Sequence, residues 1–292
     1  MKANRSQNNG GATNPVQRQS ELVFDRMSRY VGRLVKNAKT EDVHRFRTNS
    51  RRVEAVVDEL APESGNKKKL LKLLSRLRKK AGKVRDLDVE IAFLKELKIP
   101  DRQNQRAQLL EVLGEDQARR SKKLTRSLDP DRVKKLRKRL RRAESEIVVD
   151  GIDPLKRAFD HLPKLSPAPP TEKMLHASRI AAKRARYLAE LAADSSEAKT
   201  FIAELKRAQD EIGRWHDVLK LTERAERLFG GVRESSLVAA LQNISRARFR
   251  RAGAALQVAL KAISELQQKA ASQPPPPKPS AEGVPAARTA AA

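Results

Sequence analysis

The sequence predicts an all-α protein built from a duplicated four-helix unit. Two observations carry this expectation. Apolar residues recur at helical spacing in segment after segment, with no strand-like alternation between them. A short histidine-containing pattern then returns in the second half of the chain, followed by a second shared pattern in the same order.

The helical segments can be read in order. The first 19 residues lack apolar periodicity and read as a disordered tail. SELVFDRMSRYVGRLVKNA (20–38) carries apolar residues at helical intervals. TEDVHRFRTNSRRVEAVVDELAP (40–62) opens on a threonine followed by acids, the signature of a capped helix start, and stops at Pro62. Residues 66–100 form a long helix with a break expected near Gly82, and 102–127 a fourth helix, ended by Asp-Pro-Asp at 129–131. The series then restarts. Residues 131–161 are helical with an interruption at Gly151 and Pro154, and KLSPAPP (164–170) is a loop. Helices over 171–194, 197–229 and 234–269 follow, the second with Gly213 inside it. Residues 271–292 are rich in Pro and Ala and read as a second disordered tail. The expected division is therefore a tail over 1–19, a first half over 20–129, a second half over 130–270 and a tail over 271–292.

The two halves share more than composition. His44, Arg47, Arg51 and Arg52 match His176, Arg179, Lys183 and Arg184 at an offset of 176 − 44 = 132. In the next helix GKVRD (82–86) matches GRWHD (213–217) at an offset of 131, aligning Gly82 with Gly213, Arg85 with His216 and Asp86 with Asp217.

Charge sets the class of partner. Lys and Arg number 63 and Asp and Glu 36, a net charge of +27, which favours polyanions. There is no cysteine, so disulfides, thiolate catalysis and cysteine-held metals are excluded. No stretch approaches a membrane span and no apolar signal region opens the chain, so the expected compartment is the cytoplasm. Aromatic residues make up 3%, poor equipment for stacking nucleic-acid bases. No Gly-rich phosphate loop and no acidic metal cluster is visible, so neither catalysis, cofactor nor metal is expected.

At about 100° per residue, His44, Arg47 and Arg51 fall within roughly a 60° arc of the helix, opposite Phe46, Val53, Val57 and Leu60. His176, Arg179 and Lys183 repeat the arc with Arg186 beside them, opposite small residues such as Ser178 and Ala185 that allow close helix approach. Each histidine lies near a helix start, where free N–H groups and the dipole favour an anion. Among arginines a histidine is mostly neutral at pH 7 and can gain a proton when an anion arrives. Lys79, Lys83 and Arg85 flank the first glycine turn, and Lys206, Arg207, Arg214 and His216 the second. Asp86 and Asp217 are expected to hold arginines by bidentate pairing, and Trp215, the sole tryptophan, to pack between helices.

These residues carry a resemblance. HRFRTNSRR and HASRIAAKRARY, followed by GKVRDLDV and GRWHDVLKL, resemble the CHAD family, the conserved-histidine α-helical domain, over about residues 20–270. The resemblance implies two four-helix bundles related by a pseudo-twofold axis around a basic central cavity that binds inorganic polyphosphate, in some members at polyphosphate granules. It implies that His44, Arg47, Arg51 and Arg52 line the cavity from one half and His176, Arg179, Lys183 and Arg184 from the other. Lys83, Arg85, Arg214 and His216 carry over less directly. Family members often place a triphosphate-tunnel catalytic domain ahead of this one, and with nineteen residues before the first helical segment that domain is not expected here. Lys183 replaces Arg51 and His216 replaces Arg85, so the second wall is expected to be weaker or more sensitive to pH.

The leading expectation is a polyphosphate-binding module, which needs many cations and no stacking surface. A nucleic-acid backbone is the alternative partner, since the charge suits it equally. A helical scaffold that recruits a partner through PPPPKP in the tail is a further reading.

Overall fold

The computed structural model describes residues 14–36, 39–99, 103–163 and 169–272, and among these every regular element is helical. The helices are α1 (Pro15–Lys36), α2 (Thr40–Leu60), α3 (Gly65–Glu96), α4 (Gln105–Arg126), α5 (Pro130–Ser145), α6 (Pro154–Asp160), α7 (Glu172–Ala189), α8 (Ser196–Phe229) and α9 (Ser236–Ser272). The all-α expectation holds. Helix α1 begins at Pro15, inside the stretch read as a tail, because proline suits a first helical turn. Helix α9 runs to Ser272, two residues into the second predicted tail, and residues 273–292 and most of the loop over 164–170 lie outside the described residues.

Local chemistry explains the boundaries. Ser64, Asp129, Asp153, Thr171 and Ser195 each cap a helix start by accepting a backbone N–H. The capping expected of Thr40 is not made: Lys39 occupies that position with no side-chain bond, and Thr40 is already helical. Helix α3 does not break at Gly82. It runs unbroken because Leu77, Ala81, Val84 and Leu87 keep a buried stripe across the glycine. The interruption at Gly151 is real, with φ at 68° separating α5 from α6.

The duplication is clear in the element order: α2 corresponds to α7, α3 to α8 and α4 to α9, while α6 occupies the place of α1. The cores, however, do not divide into two separate bundles. One core joins α1, α2, the first half of α3 and α5 through Phe24, Met27, Phe46, Leu70 and Leu136. Helix α5, assigned by sequence to the second half, thus belongs physically to the first, because its Val133, Leu136 and Leu140 face α1 and α3. A second core joins Leu87 and Leu94 of α3, Leu109 and Leu113 of α4, Leu221 of α8 and Leu241 of α9. The halves are therefore fused through a shared apolar layer. Two further clusters hold α6, α7, α8 and α9 together, one of them around Trp215. Helix α2 also packs directly on α7, and α3 on α8. These two contacts bring the matching motifs face to face.

Candidate functional site

A cleft of about 350 Å³ opens between α2, α3 and α7, lined by Arg51, Arg78, Arg179, Lys183, Arg184 and Tyr187 among others. Helix α2 delivers its basic arc because Phe46, Val53 and Val57 are fully buried on the opposite side. Helix α7 does the same with Leu175, Ser178, Ala182 and Ala185 buried.

Some cleft cations are neutralised within the protein. Arg78 pairs with Glu54. Arg184 pairs with Asp58 at 2.9 Å and with Glu59, which also accepts from Arg157 and contacts His161 Nε2 at 2.8 Å. Arg51, Arg179 and Lys183 are different: none has a carboxylate at ion-pair distance among the described residues, and Arg179 Nε is buried without a hydrogen-bond partner.

The electrostatics record this crowding. Burial, together with Arg47, Arg179 and Arg78, brings the Arg51 guanidinium down to about 10, still charged at neutral pH. Burial and then the charges of Arg179, Arg51 and Arg47 depress the Lys183 ammonium to about 6, so it is mostly neutral at pH 7. Burial and the same neighbourhood push His216 to about 3, and burial with Arg85 lowers His44. The His176 and His216 rings lie 5.9 Å apart.

Two carboxylates flank these cations. Arg47 Nη1 donates to Asp86 at 3.0 Å, and its guanidinium lies across Gly82, 3.7 Å from where a β-carbon would stand. Asp217 makes no such bond. Burial raises its carboxyl above the usual range while Arg179 pulls it back. The expected bidentate pairing is thus replaced by one single contact and one through-space attraction, because Arg179 remains aimed at the cleft.

A model of the CHAD domain family matches residues 18–226. The chain belongs to the CHAD family. Two solved structures share its fold. The CHAD domain from the plant Ricinus communis aligns with a TM-score of 0.58 at 19% identity, covering 87% of this chain and 90% of that one. PptA from Streptomyces chartreusis aligns with a TM-score of 0.55 at 14% identity, covering 87% of this chain and 98% of that one. None of the curated proteins compared with the sequence is a significant match.

Within this CHAD domain the predicted residues separate into three groups. His44, Arg47, Arg51, Arg85, His176, Arg179, Lys183 and His216 are drawn together, as their mutual electrostatic influence records. Arg52, Arg184 and Arg186 are brought close but engaged in ion pairs, Arg52 with Glu190 at 2.6 Å and Arg186 with Glu190 at 3.6 Å. Lys79, Lys83, Lys206, Arg207 and Arg214 are exposed. Arg207 pairs with Glu204 and Arg214 with Glu211, each one turn away on the same helix. Arg207 lies nine residues from His216, about half a turn round the helix, so it faces away from the cleft.

Three cations escaped the sequence reading. Arg78 lines the cleft, Lys220 acts on His216, and Arg248 lies over the Phe93 ring at 4.8 Å and is lowered by burial and Arg214. Arg78 aligns with Gln209 at the offset of 131, so the repeat could not mark it. Its position seven residues before Arg85 on one face was the available signal.

Proposed function

We propose that this CHAD domain binds inorganic polyphosphate in the cleft between α2 and α7. One observation carries the reading: Arg51, Arg179 and Lys183 converge from both halves with no carboxylate at ion-pair distance among the described residues, Asp217 acting on Arg179 and Lys183 only through space. Such a cluster opposes folding through its own repulsion, and an anion that fills it relieves that cost. Four neighbouring carboxylates are committed elsewhere, Asp86 to Arg47, Glu54 to Arg78, and Asp58 and Glu59 to Arg184, and burial raises the Asp217 carboxyl toward its neutral form.

A chain of phosphates suits the cleft better than a base-bearing strand does. Tyr187 is the aromatic side chain of the cleft, and it is buried, with Arg52 and Arg186 stacked on its ring, so no face is free for a base. Membership of the CHAD family supports the same ligand. The role is binding without turnover, and polyphosphate granules are the location that such a ligand suggests.

The test is a titration with polyphosphate, triphosphate, duplex DNA and RNA at several salt concentrations. Long polyphosphate should displace DNA and RNA at equal charge concentration. Preference for either nucleic acid would overturn the reading, and phosphate release with Mg²⁺ above background would overturn the non-catalytic part.

A further inference from the structure

Helix α5 has no counterpart in the duplicated unit, and half of its residues are cationic. Its sixteen residues hold eight Lys and Arg against two acids. With α1 it forms a groove of about 960 Å³, lined by Lys36 of α1 and by Lys134, Arg137, Lys138, Arg141 and Arg142 of α5. Arg142 pairs with Glu146 at 2.8 Å, while the other five have no ion-pair partner among the described residues. The groove exists because α1 offers Gly32 at its floor, where the Arg137 guanidinium comes within 3.2 Å of the place a β-carbon would take. Next to the groove, Glu144 of α5 is raised by burial and by Asp25 and Glu21 of α1, against the pull of Arg141.

One end of the groove leads toward the cleft. Lys36 ends α1, and Arg33, one turn earlier, lies over the Tyr30 ring at 5.5 Å. Arg45 of α2 lies over the same ring at 5.8 Å and donates to the Tyr30 hydroxyl at 2.9 Å. Arg45 and Arg47 both act on His44 at the head of the α2 arc. Basic side chains therefore follow one another from the cleft past His44, Arg45, which also pairs with Glu41 at 2.5 Å, and Arg33 toward the α5 groove.

We propose that a polyphosphate chain held in the cleft leaves past His44, crosses Arg45 and Arg33, and seats its continuation in the groove between α1 and α5. This rests on the polyphosphate reading of the cleft. It adds a preference for long chains, because only a long chain reaches both stations. Once one station is filled the other is met intramolecularly, and such linkage commonly gains 10²–10⁴ in affinity. The cations from Lys134 to Arg142 span about 12 Å of helix, enough to lie along several consecutive phosphate units.

The test uses the full chain with Lys134→Gln, Lys138→Gln and Arg141→Gln combined, all at exposed helical positions that glutamine tolerates. Its ligands are long polyphosphate, duplex DNA, and the shortest polyphosphate that the unmodified protein measurably binds. The affinity for long polyphosphate should fall at least about tenfold and its log–log salt slope should drop by about two to three. Binding of the short chain should stay unchanged. The matching variant Lys68→Gln, Lys69→Gln and Lys72→Gln, equal in charge and exposed on α3, should bind long chains normally. Arg45→Gln, which breaks the path, should also weaken long chains selectively. The proposal fails if long-chain affinity is unaffected, if short-chain affinity falls in parallel, or if the α3 variant is as damaging. It also fails if DNA binding alone is lost, which would assign the groove to nucleic acid. Failure of the unmodified protein to bind polyphosphate of any length would instead remove the reading of the cleft itself.

Discussion

Arg52 of α2 grips Glu190 beyond α7 through two contacts, Nε at 2.6 Å and Nη2 at 3.2 Å. The clasp is reciprocal: Arg184 of α7 reaches back to Asp58 of α2 at 2.9 Å. Since 184 − 52 = 132 and 190 − 58 = 132, each half offers the same arginine to the same acid of the other. The pairs thus link the halves around the α2–α7 contact, beside the uncompensated cations.

The clasp should therefore matter to stability more than to binding. Arg52→Ala is expected to destabilise the fold by about 1–3 kcal/mol, with a coupling to Glu190→Ala of about 1 kcal/mol in a double-mutant cycle. Polyphosphate affinity at a temperature where the variant is folded should change less than threefold. Denaturant unfolding and titration separate the two effects, and a large loss of affinity with unchanged stability would place Arg52 in the binding site after all.

The two halves should contribute to one site. Arg47→Gln with Arg51→Gln, and separately Arg179→Gln with Lys183→Gln, are each expected to weaken polyphosphate binding about ten- to a hundredfold at physiological salt and to flatten its salt slope. Lys68→Gln with Lys69→Gln is the matched control. Lys67 is unsuitable for it, because its ammonium is buried and donates to the carbonyls of Asp58 and Ala61. Normal binding by either half's variant would refute a shared site.

Affinity should rise as pH falls from about 8 to about 6. Lys183 is held at about 6 in the free protein, so it is neutral over most of that range. Bound phosphates favour its charged form and raise its value, so binding takes up a proton, and lower pH favours the complex until the free lysine is itself charged. His216, held at about 3, contributes nothing to this window in the free protein. Lys183→Arg should flatten the dependence, because arginine stays charged throughout. Proton uptake measured in two buffers of different ionisation enthalpy checks the sign, and an unchanged profile in Lys183→Arg would assign the titration elsewhere.

Removing that amine should stabilise the empty protein. A folded-state value below the unfolded one means that stability is lost as pH falls toward 6, since the unfolded chain holds its proton more readily. Lys183→Met is expected to raise the melting temperature by a few degrees at pH 6–7 while weakening polyphosphate binding, a trade of function for stability. A lower melting temperature in Lys183→Met would show that the lysine packs more than it repels.

Most of the fold was legible because apolar periodicity and punctuation act locally. The Pro154 start, the Gly151 break and the repeat of α2–α4 as α7–α9 all followed from spacing. What local pattern could not reveal was partnership. Nothing in its sequence tells α5 to pack on α1 and α3 rather than on α6, because a leucine stripe suits any apolar neighbour. In the site, the arc of His44, Arg47 and Arg51 was visible from angular position alone. Arg52, about 100° further round, was expected in the cavity from the repeated motif and the family resemblance, and its pairing with Glu190 was not visible in either. Arg207 was grouped with the second glycine turn by distance along the chain, and it lies exposed beside Glu204. The carboxylates that neutralise Arg52 and Arg184 lie 138 and 126 residues from them in sequence, on the opposite half, and are legible only in three dimensions.

Trp215 is the only indole in the chain, is 2% exposed, and has its ring 6.3 Å from the His216 imidazole. Its emission therefore comes from one dry position, next in sequence to a histidine that feels the charges of Arg179 and Lys183. When phosphates arrive and His216 or its partner His176 changes charge or orientation, the indole excited state is perturbed at contact range. If the proposed site fills, this indole is an optical gauge of its occupancy, readable without a dye and placed in the second half alone.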